Sequence, residues 1–197
     1  MGSRWKNVIE ILKQKIEGFS HRMRDTTGRE ECKPSDGLYL CCVMSREICE
    51  FARRIHSVPR RKYRLTIMDD GGEAAAVTLL KSGHDINRMT LVTDREEHFE
   101  SVIDELYEEE GLVVEIADRD REQEGMTVEF NGTFCVWMDD NTRYDKIFFS
   151  LDGKEWEAGE LQALLFGESS DELFLFGEGE LPDGYAGRIF VEKLANS

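Results

Sequence analysis

Between Met89 and Ala117 the sequence carries a pattern that leaves few architectures open. Met89–Thr93 is a short apolar run, and Asp94 follows it. Phe99, Val102, Ile103, Leu106 and Tyr107 then recur at helical spacing up to Gly111, and a second apolar run, Leu112–Ala117, comes directly after. The spacing predicts strand, helix and strand, with Asp94 as the helix cap and Gly111 as its stop. A helix of about three turns between two strands carries the chain back across a sheet, so the strands run parallel and need cover on their faces.

Two earlier stretches repeat this alternation. Leu38–Met44 reads as a buried strand, followed by a helix capped by Ser45, bearing Ile48, Ala52 and Ile55 and stopped at Val58-Pro59. Tyr63–Met68 reads as a strand, Asp69-Asp70-Gly71-Gly72 as a turn, and Glu73 to about Lys81 as an alanine-rich helix ending near Gly83. In the second half, Thr127–Phe130 and Thr133–Met138 flank Asn131-Gly132, a strong hairpin signal. Lys146–Leu151 is expected as a strand, Lys154–Phe166 as a helix, Glu172–Phe176 as a strand and Arg188–Val191 as an edge. The expected fold class is α/β, a mostly parallel sheet flanked by helices with an antiparallel hairpin in the C-terminal half.

Ahead of this domain, Trp5, Val8, Ile9, Leu12, Ile16 and Phe19 recur every three or four residues, opposite Lys6, Lys13 and Lys15. That spacing predicts an N-terminal amphipathic helix, with Trp5, Ile9, Leu12 and Ile16 as candidate interaction residues. His21–Asp36 is a polar connector. Residues 1–33 are therefore expected as helix and connector, and residues 34–197 as a single α/β domain.

Charge narrows the function classes. The 197 residues hold 25 Lys+Arg and 41 Asp+Glu, a net charge of -16, which disfavours non-specific nucleic-acid binding. The balance is uneven: through Thr66 there are 15 basic and 8 acidic residues, and beyond it 10 and 33. Either the basic third packs on the acidic remainder, or it is offered to a partner or an anionic surface. Leu38–Met44 is the longest apolar stretch, far short of the roughly 20 residues that span a bilayer, and the first residues lack a signal-peptide core. A cytoplasmic location is the expectation. Five cysteines at positions 32, 41, 42, 49 and 135 leave an odd one in any disulfide scheme and lack zinc-type spacing, and Cys41, Cys42 and Cys49, in apolar surroundings, are expected as core thiols.

Ligands of open α/β sheets sit at the carboxyl ends of the strands, and acids dominate there. Asp69, Asp70, Asp94 and Asp118 are the candidate metal ligands, with magnesium the cation such oxygens would hold, although each acid also has a local role in a cap or turn. Gly71-Gly72 lacks the dinucleotide-binding glycine pattern, and no cofactor is expected beyond that magnesium alternative. His21, His56, His84 and His98 sit in no nucleophile motif, so no catalytic constellation is identified. The expected function is protein–protein interaction or regulation, through a protein partner or self-association. The alternatives are a magnesium-dependent enzyme or nucleotide-binding protein built on the strand-end acids, and a structural oligomer subunit assembled through the N-terminal helix.

Overall fold

A computed structural model describes residues 36–84, 86–119, 124–167, 169–176 and 179–196. By internal contacts the chain separates into Met1–Cys32 and Lys33–Ser197. The first unit, with the predicted helix and its Trp5, Ile9, Leu12 and Ile16 stripe, lies outside the described residues.

The second unit opens with two helices, α1 (Leu38–Val43) and α2 (Ser45–Ile55), and a 3₁₀ turn at Arg60–Lys62. Strand β1 (Leu65–Met68), helix α3 (Ala74–Ser82), strand β2 (Met89–Val92), helix α4 (Glu96–Glu110) and strand β3 (Val114–Ala117) follow as two successive crossover units. The chain then enters β4 (Met126–Glu129), β5 (Cys135–Trp137) and β6 (Arg143–Tyr144). These six strands form one sheet in the order β3-β2-β1-β4-β5-β6, parallel from β3 to β4 and antiparallel beyond. A second, antiparallel sheet has the order β8-β7-β9, from β7 (Lys146–Leu151), β8 (Lys154–Glu157) and β9 (Ile189–Ala195). Helices α5 (Ala158–Phe166) and α6 (Ser170–Phe176) lie between β8 and β9 in sequence. The α/β class and the mostly parallel sheet match the pattern reading, and the late strands make their own sheet instead of extending the first.

Helix α4 follows from its periodicity. Phe99 and Leu106 are buried, Val102 and Ile103 partly so. Gly111 ends the helix in the left-handed conformation at φ 68°, with its N–H on the Tyr107 carbonyl and the Leu112 N–H on the Leu106 carbonyl. A residue with a Cβ resists that φ, so glycine sits where the helix must stop. Asp94, expected as the cap, is not one: Arg95 occupies the cap position without a side-chain cap bond, and Asp94 is 76% exposed.

Five further expectations are corrected. Leu38–Met44 is helix α1 and not a strand. Its first turn is closed locally by Asp36 Oδ1, which accepts from the Leu38 N–H (3.0 Å), and from a distance by Ser170 Oγ, which accepts from Tyr39 (3.1 Å), and Gln162 Oε1, which accepts from Leu40 (2.9 Å). Buried first-turn N–H groups need such acceptors, and Ser170 and Gln162 supply them for Tyr39 and Leu40. Residues 172–176 belong to helix α6 and not to a strand. Lys154–Glu157, expected as helix, is strand β8, because Asp152 (φ 51°) and Gly153 (φ 78°) turn the chain back on β7. Two consecutive positive φ values are the signature of a tight hairpin, and Asp-Gly favours them. The β4–β5 hairpin is wider than a two-residue turn, since Glu129 faces Cys135 and residues 130–134 form the loop. Met44, rather than Ser45, occupies the α2 cap position, and buried Ser45 Oγ instead accepts from Ser82 Oγ at 2.8 Å.

Leu106 lies 2% exposed against the end of α3, where a Cβ placed on Gly83 would sit 2.3 Å from Leu106 Cδ2. Leu106→Ala is therefore expected to destabilise by about 2–5 kcal/mol, from lost transfer energy plus the cavity left behind. Urea denaturation measures this. A change below about half a kcal/mol would mean that α4 does not pack as described.

Candidate functional site

Strand β1 is the point where the sheet changes direction. The chain moves outward from it through β2 to β3, then crosses to β4 on its other side. In open α/β sheets the crevice outside the carboxyl ends at such a point is where ligands bind. Asp69, at the end of β1, stands at its mouth.

The protein's own groups converge on Asp69. Asp69 is 4% exposed, and four donors converge on its carboxylate. Arg95 Nη2 donates to Oδ1 (2.7 Å) and Arg95 Nε to Oδ2 (3.0 Å), Thr93 Oγ1 donates to Oδ2 (2.7 Å), and the Gly71 N–H donates to Oδ1 (2.9 Å). Burial pushes the Asp69 carboxyl up, but the hydrogen bonds from Arg95, Thr93 and the Gly71 N–H outweigh it and hold the group below its ordinary value. Arg95 also donates to the Gly72 carbonyl (3.2 Å), and Thr93 Oγ1 accepts from the Arg95 N–H (2.9 Å), which aims the side chain inward. Arg119 Nη2 donates to the Asp69 carbonyl (2.7 Å), while its Nε lies 3.9 Å from Asp94 Oδ2.

The four candidate metal ligands thus end up in different situations. Asp69 is buried and already matched by a guanidinium. Asp70 is exposed and accepts from the Gly72 N–H at 3.0 Å, a local turn. Asp94 faces Arg119, and Asp118 is exposed. Among the described residues no three His, Cys, Asp or Glu side chains gather as a cation cage. The reading of strand-end acids missed Arg95 and Arg119. A signal was present, since β2 and β3 are each followed by Asp-Arg, at Asp94-Arg95 and Asp118-Arg119.

Other chemistry-bearing groups lie elsewhere. Asp140, His56 and Tyr144 form a string, with His56 Nε2 2.8 Å from the Tyr144 hydroxyl and Nδ1 3.3 Å from Asp140 Oδ2, tying the end of α2 to β6. His98 is exposed beside Glu73, with Nε2 3.4 Å from Oε1. Cys41, Cys42, Cys49 and Cys135 are buried free thiols, and burial raises each, Cys49 to about 12. Cys41, Cys42 and Cys49 are core groups, in line with the sequence reading, and Cys135 Sγ accepts from Arg143 Nε at 3.1 Å. Cys32 and His21 lie outside the described residues. No known protein family matches the chain, and no characterised protein shares significant sequence similarity with it.

Replacing Arg95 by Met strands a buried carboxylate and is expected to cost about 1–3 kcal/mol at neutral pH. The pair acts on the ionised carboxyl, whose folded pKa is depressed. Its contribution is therefore complete above about pH 4 and is lost as pH falls through the folded value. Urea denaturation of wild type and Arg95→Met should show a constant gap above about pH 4 that narrows below it. A gap insensitive to acid would assign the Arg95 contribution to packing instead.

Proposed function

We propose that this chain acts through protein contacts, as an interaction or regulatory module, and not as a magnesium-dependent catalyst. One observation supports this reading above the others: at the sheet's direction change, where an α/β enzyme holds its ligand, Arg95 occupies the position a cation would take beside Asp69. A cation entering there would have to displace a bidentate guanidinium and share a carboxylate that already accepts from four donors. The partner is another protein or a second copy of the chain. Nucleic acid is disfavoured by the net charge of -16. Among the described residues no helix is long and apolar enough to cross a membrane, and a cytoplasmic setting remains part of this proposal.

Calorimetric titration of the full chain with magnesium tests the reading. Weak or no binding is expected. Tight, stoichiometric uptake that disappears in Asp94→Asn would overturn it and put a metal-dependent reaction first. Sedimentation and urea denaturation of the full chain and of one lacking residues 1–19 then separate partners: a dimer that becomes a monomer identifies self-association through the predicted helix, a mass change equal to the deleted segment with lowered stability means that the helix docks on its own chain, and unchanged association with unchanged stability leaves it for a different protein.

A further inference from the structure

The opposite end of the parallel sheet carries an excess of positive charge. Residues 46–64 hold seven Lys+Arg against two Asp+Glu, within a chain of net charge -16. They form α2 and the 3₁₀ turn that leads into β1. Between these elements and the end of α3 is an open cleft of about 280 Å³, lined by Arg46, Glu47, Glu50, Arg54, Arg60 and His84 among others.

Glu50 organises this cleft. Its Oε2 accepts from Arg53 Nε (2.7 Å), and its Oε1 accepts from Arg53 Nη2 (2.8 Å) and Arg54 Nε (2.7 Å). The hydrogen bond from Arg53 does most to hold the Glu50 carboxyl at about 2, so it is a fixed negative charge at any ordinary pH. Arg60 Nη2 stays 3.9 Å away, an ion pair without a hydrogen bond. Each guanidinium has five N–H donors. Arg54 uses only Nε on Glu50, and the Arg60 guanidinium makes no hydrogen bond to a described residue. Both side chains face solvent, 68% and 64% exposed.

Charge and size then select the ligand. Three guanidinium groups around the single Glu50 carboxylate leave a surplus of two positive charges, with Arg46 and Glu47 offsetting each other, and Glu110 on His84 at the edge of the cleft reduces that surplus to one. A phosphoryl group carries about -1.5 to -2 at neutral pH and three acceptor oxygens. The cleft sits at the small end of ligand pockets, which begin near about 300 Å³, so it suits one such group and the atoms next to it. His84, with Nδ1 held by Glu110 Oε1 at 2.7 Å, lies on the same wall, and exposed Arg61 and Lys62 extend the positive surface. We propose that this cleft binds a phosphoryl group, with Arg54 and Arg60 gripping its oxygens.

The test is nuclear magnetic resonance on the full chain, following the arginine Nε–H signals during titration with inorganic phosphate at constant ionic strength, with acetate as the control anion. Saturable shifts at Arg54 and Arg60 that acetate does not reproduce are expected. In the double variant Arg54→Gln, Arg60→Gln the affinity should fall about tenfold or more, with two charge-assisted hydrogen bonds gone and an unchanged urea midpoint showing that the fold persists. Glucose 6-phosphate and a phosphoserine peptide, added separately, tell a free metabolite from a modified protein, because the true source should bind more tightly than phosphate alone. Shifts that never saturate, that acetate matches or that survive in the double variant would overturn the site. So would a glutamate peptide that binds as tightly as the phosphoserine peptide.

Discussion

Strand β1 has to be covered on both faces, and most of the molecule is arranged to do it. Successive residues of a strand point to opposite sides. Leu65 and Ile67 are fully buried on one face, and Thr66, on the other, is 2% exposed. Hydrogen-bonded neighbours flank the strand, β2 and β4 both parallel to it. A parallel sheet with both faces dry cannot stand as a bare layer, so α1, α2 and α3 bury Leu40, Ile48 and Leu79 in the same core as β1. The Asp69 carboxylate follows from that burial. It lies buried at the end of a strand, and Arg95 supplies the opposite charge that burial makes necessary.

The second crossover unit was legible because its helix has one wet face. In α4 the buried Phe99 and Leu106 alternate with Glu and Asp at helical spacing, a pattern no strand shares. Helix α1 offered no such contrast. Tyr39 to Val43 are all buried, so the run has no polar face and its periodicity is empty. A short, wholly apolar segment can be a strand or a helix, and tertiary acceptors from Gln162 and Ser170 decide between them here. Helix α6 failed for a related reason, because Leu173 is buried while Leu175 is 67% exposed, and five residues cannot separate a period of two from one of three to four. Strand β8 was within reach, since Asp152-Gly153 is as clear a hairpin signal as Asn131-Gly132.

The site was legible only in part. Collecting acids at strand ends found Asp69, the residue around which the crevice is organised, but not the guanidinium that neutralises it. Reading one sign of charge hides pairs, and a buried ion is held in place by its partner. The basic cleft was harder still. Arg54, Arg60 and His84 come from α2, the 3₁₀ turn and the segment after α3, and only the packing of α2 and α3 beside β1 brings them to one wall.

The two ends of the parallel sheet therefore treat charge under different rules. At the carboxyl end the carboxylate is buried, where an unmatched charge of either sign is costly, so Asp69 and Arg95 balance each other. At the amino end Arg54 and Arg60 remain in solvent, where excess positive charge around Glu50 costs little. A surplus is what a charged ligand needs, and it must be reachable as well as unmatched. In a chain of net charge -16 the average field repels anions, so recognition of one depends on contacts shorter than a Debye length of about 8 Å. Guanidinium forks at hydrogen-bond distance meet that condition, and a diffuse basic surface would not.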